Sequence, residues 1–127
     1  MKLPLSNRRI LIVEDESLVA MLLETILEDM GCTTVGPISN IEDALALLAS
    51  DEADTLDGAL LDVNVAGREV FPVADLLKAK GVPFVFSTGY GQGGLPDQWR
   101  THATIQKPFT EAAVQQALMT ALGVANA

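Results

Sequence analysis

The sequence predicts an α/β fold in which five strands alternate with helices around one parallel sheet. Short, continuously apolar runs such as "ILIV" at 10–13 and "ALL" at 59–61 suit strands covered on both faces. Segments with apolar residues at helical spacing separate these runs. Charged or hydroxyl residues stand where several runs end, as they do at strand ends along the ligand-binding edge of such a sheet.

The first strand runs from Arg9 to Glu14, and a helix follows from Ser17 to Met30, with apolar side chains at 18, 19, 22, 23, 26, 27 and 30 and Gly31 as a stop. A short strand near Thr33 to Val35 precedes the second helix, "GPISNIEDALALLAS", in which Ser39 and Glu42 have capping-box spacing. "DGALLDV" reads as the third strand, ending at Asp62. "GREVFPVADLLKAKG" reads as the third helix, where Pro72 is tolerable only in the first turn. "VPFVFSTG" is the fourth strand and "ATIQK" a short fifth. The last helix spans Thr110 to Leu122. Between the last two strands, "GYGQGGLPDQWRTH" holds four glycines and a proline, which predicts a loop with at most a short helix near Pro96 to Arg100.

The 127 residues match one ordinary domain, so a single domain over 1–127 with no attached output domain is expected. A hydrophobic fraction of 49% argues against disorder, and no apolar run reaches the roughly 18 residues a membrane span needs. The start, "MKLPLSNRR", lacks a signal-peptide core, which points to a cytoplasmic protein. A formal charge of −9 repels a phosphate backbone, which argues against nucleic acid as a direct partner. Arg8 and Arg9, the one local basic cluster, are expected to flank the first strand in solvent. The single cysteine, Cys32, excludes an internal disulfide and reads as a small buried packing residue.

The stretch "ILIVEDE" runs from four apolar residues into three acids. Two like charges about 4 Å apart repel by roughly 4 kcal/mol at a typical protein dielectric, so something must offset their crowding. The acids either open a helix at the positive end of its dipole or hold a cation. In a parallel sheet the strand C-termini share one edge, which gathers Glu14, Asp15, Asp62, Thr88 and Lys107. Three carboxylates there suit a hard cation such as magnesium, held mainly by Asp15 and Asp62 with Glu14 acting through water, while Glu16 falls in the first helical turn. Asp62, its carboxylate exposed at the lip of the site, is placed to act as a nucleophile toward a phosphoryl group. Lys107 supplies a point charge and Thr88 a hydroxyl for phosphoryl oxygens.

In order, and across nearly the whole chain, "ILIVEDE", "LLDVN", "FSTGY" and "QKPF" resemble the receiver domain of two-component response regulators. The resemblance implies a flavodoxin-like, five-stranded sheet of order 2-1-3-4-5. It implies Asp62 as phosphoacceptor, with a histidine kinase or histidine phosphotransfer protein as donor and a downstream protein partner. It further implies Glu14 and Asp15 as the acid pair, the backbone carbonyl of Asn64 as a metal ligand, Thr88 and Lys107 on the phosphoryl group, and a cis peptide at Lys107-Pro108.

The chain also departs from that pattern. No proline follows Asp62 in "DVNVAGRE", which predicts a more mobile loop. The acid pair is Glu-Asp instead of Asp-Asp. Thr104 stands where an aromatic switch is usual, leaving Tyr90 as a candidate reporter of the site's state. "FSTGY" resembles the Phe-Ala-Thr-Gly variant of a group of bacterial single-domain receivers. Gly89, Gly91, Gly93 and Gly94 give the following loop the freedom to couple phosphorylation to partner binding. His102, the single histidine, is expected to take a surface or loop-packing role and not a metal or catalytic one; Trp99 is expected to anchor the loop on the sheet edge, with partner contact as the alternative if it is exposed.

Three function classes follow. The leading one is a stand-alone phosphoacceptor that either docks on a partner or drains phosphoryl groups from a kinase. A magnesium-dependent phosphohydrolase is disfavoured because Asn64 stands where a general acid would be needed. A non-phosphorylated scaffold would require none of the five site residues.

Overall fold

A computed structural model of the chain describes residues 5–89 and 95–124. The order is β1 (Arg9–Val13), α1 (Ser17–Asp29), β2 (Thr33–Ile38), α2 (Ile41–Leu48), a 3-10 turn (Asp51–Thr55) and β3 (Gly58–Asp62). Next come β4 (Asn64–Val65), β5 (Arg68–Glu69), α3 (Phe71–Ala79), β6 (Phe84–Thr88), a 3-10 turn (Asp97–Trp99), β7 (Thr104–Gln106) and α4 (Glu111–Leu122). Five of the strands form one parallel sheet in the order β2-β1-β3-β6-β7, which is the order 2-1-3-4-5 once the small hairpin β4-β5 is set aside.

Strand alternation divides the core in two. Leu11, Val13, Ala59, Leu61, Phe84 and Phe86 face α2 and α3, while Ile10, Ile12, Leu60, Val85 and Ile105 face α1 and α4. Both faces of β1, β3 and β6 are therefore apolar, which is why their sequences read as unbroken hydrophobic runs. On the α2/α3 side, Trp99 is buried edge-on to Phe84 and Phe86, and His102 stacks on Phe84 with its Nε2 2.8 Å from the Phe84 carbonyl. Both loop-packing expectations hold. Cys32 is buried and unpaired by disulfide, its thiol donating to the Leu5 carbonyl. Among the described residues no helix is long and apolar enough to cross a membrane.

Several elements differ from the sequence reading for local reasons. The second helix is capped by Asn40, not Ser39: the Asn40 Oδ1 accepts from the Asp43 N–H at 2.8 Å, and its Nδ2 donates to the Asp43 carboxylate. The stretch after Asp62 is an ordered hairpin instead of a mobile loop. Ala66 (φ 52°) and Gly67 (φ 81°) form its two-residue turn, both with the positive φ that a tight hairpin favours. Val65 and Val70 are buried beneath it, the Val70 N–H donates to the Val63 carbonyl, and the Val63 N–H donates to the Ser87 carbonyl. These contacts keep Arg68 and Glu69 out of α3, which starts only at Phe71 with Pro72 in its first turn. Arg68 also pairs with Glu42 of α2, tying the hairpin to that helix. Lys107-Pro108 is cis, and so is Gly36-Pro37.

Gly36 sits at φ 94°, where an added Cβ would lie 2.9 Å from the Ile12 carbonyl oxygen and 2.8 Å from the Ile38 nitrogen. Both neighbours are backbone, so neither can step aside cheaply. Gly36→Ala is expected to lower unfolding stability by about 1–3 kcal/mol, read as a shift in the urea midpoint with an unchanged slope.

Candidate functional site

The backbone hydrogen bonds of the sheet continue one residue past β1 and β7. The Glu14 N–H donates to the Ile38 carbonyl and the Lys107 N–H to the Thr88 carbonyl, each at 2.9 Å. Alternation therefore carries on to the rim and places Glu14, Asp62, Ser87 and Lys107 on the α1/α4 side. There the Lys107 Nζ lies 3.3 Å from Glu14 Oε2 and 3.4 Å from Asp62 Oδ2, with Glu16 Oε1 at 4.0 Å. One ammonium thus bridges two carboxylates from different strands.

Glu14 is buried at 2% exposure, and its Oε2 faces the Lys107 ammonium without accepting a hydrogen bond among the described residues. Its Oε1 accepts the Glu16 N–H at 3.1 Å. Burial pushes the Glu14 carboxyl up to about 7, reinforced by the Asp62 carboxylate beside it and opposed by the Glu16 N–H and Lys107. The two acids raise the Lys107 pKa although burial works against them.

Asp62 is buried at 7% exposure, which corrects the expectation of a carboxylate standing out at the lip. Its close neighbours are the Lys107 ammonium, the Asn64 N–H and the carboxylates of Glu14 and Glu16. Its Oδ1 faces the Asn64 N–H at 3.4 Å. A cavity of about 450 Å³ opens above it, lined by Asp15, Glu16, Asp62, Asn64, Gly89 and Lys107. Asp15 and Asn64 are exposed on its wall, and Thr88 is buried at the end of β6. Tyr90, Gly91, Gly93 and Gly94 lie outside the described residues.

Carboxylate oxygens of Glu14, Glu16 and Asp62 lie within 4.8 Å of one another. Glu16, expected in the first helical turn, instead precedes α1 and turns its carboxylate toward the site. Its signal in the sequence is the third acid of "EDE". The sequence does not display the turn in which Glu14 accepts the Glu16 N–H, which brings residues 14 and 16 together and leaves 15 on the exposed wall. An all-oxygen donor set around a buried carboxylate oxygen without a hydrogen bond fits a hard divalent cation.

The chain matches the family model of the response regulator receiver domain over residues 10–119. It is 32% identical over 114 residues to the phyllosphere-induced regulator PhyR of Methylorubrum extorquens, covering 89% of this chain and 43% of that protein. The chain thus spans less than half the length of that relative. The solution structure of SdrG from Sphingomonas melonis Fr1 superposes with a TM-score of 0.80 at 43% identity, covering 93% of this chain and 98% of SdrG. The receiver domain of a sensor histidine kinase from Pseudomonas aeruginosa, solved with a magnesium ion in its active site cleft, has a TM-score of 0.78 at 19% identity, covering 93% and 99%.

A carboxyl whose pKa is raised in the folded state binds its proton more tightly there than in the unfolded chain, so stability falls as pH rises between about 4.5 and about 7. In chelator, the thermal midpoint is expected to drop across that window, and Glu14→Gln to flatten the drop. Magnesium is expected to raise the midpoint more at pH 7.5 than at pH 5, because a protonated Glu14 is a poor ligand. Differential scanning fluorimetry across pH checks all three.

Proposed function

The chain belongs to the response regulator receiver domain family, and from that premise we propose that it accepts a phosphoryl group on Asp62 from a histidine kinase or histidine phosphotransfer protein, in the cytoplasm and with magnesium. In this reading the phosphorylated state either docks on a protein partner or serves as a sink for a kinase. The observation that carries the reading is Lys107, held 3.4 Å from Asp62 and 3.3 Å from Glu14 at the mouth of an acid-lined cavity.

Each residue has a role its position supports. Asp62 supplies the nucleophilic oxygen, and the Asn64 N–H beside Oδ1 limits its rotation. Lys107 is drawn from the carboxylates to the arriving phosphoryl oxygens, where its charge offsets theirs. Glu14, Glu16 and Asp62, with the exposed Asp15 and the Asn64 carbonyl at the cavity wall, are the groups that would hold magnesium. When bound, the ion neutralises phosphoryl charge. Thr88, at the end of β6, is the hydroxyl assigned to a phosphoryl oxygen. Asn64 offers no carboxylic acid for protonating a leaving group, which disfavours turnover of external phosphate esters.

A donor must bring its phosphoryl group to this rim, and the surface beside it is apolar. Leu18, Met21 and Leu22 project from α1 at 81%, 61% and 46% exposure and share one face by their spacing. A groove of about 340 Å³ lined by Val19, Leu22, Pro108, Phe109, Glu16 and Lys107 joins that face to the site. Helices with an apolar stripe dock on such faces, so the donor is assigned to this surface.

Incubation with magnesium and acetyl phosphate is expected to add one phosphate by intact mass, and Asp62→Ala to abolish it. No adduct from acetyl phosphate or from a kinase returns the chain to a scaffold, and multiple turnover of diverse esters makes it a hydrolase. Met21→Glu is expected to slow transfer from a histidine kinase by about tenfold or more while leaving acetyl phosphate uptake intact, measured by radiolabel transfer.

A further inference from the structure

Ser87 is buried at 1% exposure, and its hydroxyl has no hydrogen-bond partner among the described residues. A buried hydroxyl without a partner is destabilising, a cost that the same strand with alanine there would not incur. Its place in the sheet is well fixed. In the β3-β6 ladder Ser87 is the residue paired with Asp62, and the Ser87 carbonyl accepts the Val63 N–H at 3.1 Å. Val85, two residues earlier, faces α1 and α4, as does Leu60, two residues before Asp62. Ser87 and Asp62 therefore point to the same side from adjacent strands about 4.8 Å apart. On the other flank, Lys107 starts from the end of β7 and reaches across β6 to Asp62 and Glu14. Ser87 thus lies on the strand between the one that ends in Asp62 and the one that leads to Lys107.

Asp62 is loosely held in the resting state: the Asn64 N–H and the Lys107 ammonium both lie at 3.4 Å. When a phosphoryl group arrives, the lysine is drawn to it, and the acyl oxygen of Asp62 that the lysine faced loses that contact. We propose that Ser87 is a positioning residue whose hydroxyl takes over that acyl oxygen, so that a donor left idle in the resting protein is satisfied only as Asp62 becomes phosphorylated. This rests on Asp62 as phosphoacceptor. In uptake from acetyl phosphate, an Asp62 oxygen forms a bond to phosphorus, the bond from phosphorus to the acetyl oxygen breaks, and its electron pair leaves with acetate. Ser87 then donates to the other Asp62 oxygen, and no proton changes hands. The unpaired hydroxyl raises the energy of the resting state alone, so its satisfaction favours the phosphorylated one.

The test compares wild type, Ser87→Ala, Ser87→Cys and Asp62→Ala with magnesium and limiting acetyl phosphate, following the adduct by intact mass, and melts each unphosphorylated protein in chelator. Ser87→Ala is expected to slow uptake about three- to tenfold, the size of one hydrogen bond, and to lower the steady-state adduct, while its thermal midpoint holds or rises. Ser87→Cys fills the same space with a weak donor and is expected to behave as alanine does. Unchanged uptake in Ser87→Ala overturns the assignment. So does a midpoint that falls along with uptake, or a cysteine variant with wild-type uptake, since either makes the role one of packing. A wild-type protein without adduct, matching Asp62→Ala, removes the phosphoacceptor reading itself and the assignment with it.

Discussion

The site depends on one ammonium group wedged between two buried carboxylates. Without Lys107, Glu14 and Asp62 would face each other across adjacent strand ends at low exposure, with no counter-charge close by among the described residues. Removing one partner from a buried charge cluster is severe, because the remaining charge stays desolvated and uncompensated. The arrangement is also unsaturated. Three acids crowd around one lysine, and a buried Glu14 oxygen accepts no hydrogen bond among the described residues. A group of this kind is held together while remaining receptive to more positive charge.

The sheet makes such crowding possible. Its parallel strands end along one edge, and the hydrogen bonds that extend β1 and β7 by one residue keep the side-chain alternation in force at the rim. Four consecutive sheet strands, β1, β3, β6 and β7, each deliver a polar side chain to the same side, over a layer of Ile12, Leu60, Val85 and Ile105. The core and the site are two ends of the same alternating pattern. A slip of one residue in register would turn the whole row to the opposite face.

Much of this is legible in the amino-acid sequence. Unbroken apolar runs mark the strands because the sheet is covered on both sides, and the strand-end residues follow from the fold. Features set by turns are less legible. Asn40 displaces Ser39 as a cap because both types can cap and only backbone geometry chooses between them. The Ala66-Gly67 turn is hidden because alanine seldom adopts positive φ, so the segment reads as the start of a helix. Glu16 is easily passed over because a helix dipole accounts for an acid at that position, whereas the hydrogen bond from its N–H to Glu14 turns the chain so that residues 14 and 16 converge.

Trp99 is the only tryptophan in the chain, and it is buried edge-on to Phe84 and Phe86, the latter two residues before Thr88 on β6. The Lys78 ammonium sits 5.6 Å from its ring centre, and His102 packs against it. Indole emission depends on local polarity, nearby charge and ring contacts, which here come from β6, from Lys78 on α3 and from His102. The protein therefore contains a native optical probe, so events at the sheet edge can be followed by fluorescence without attaching a dye.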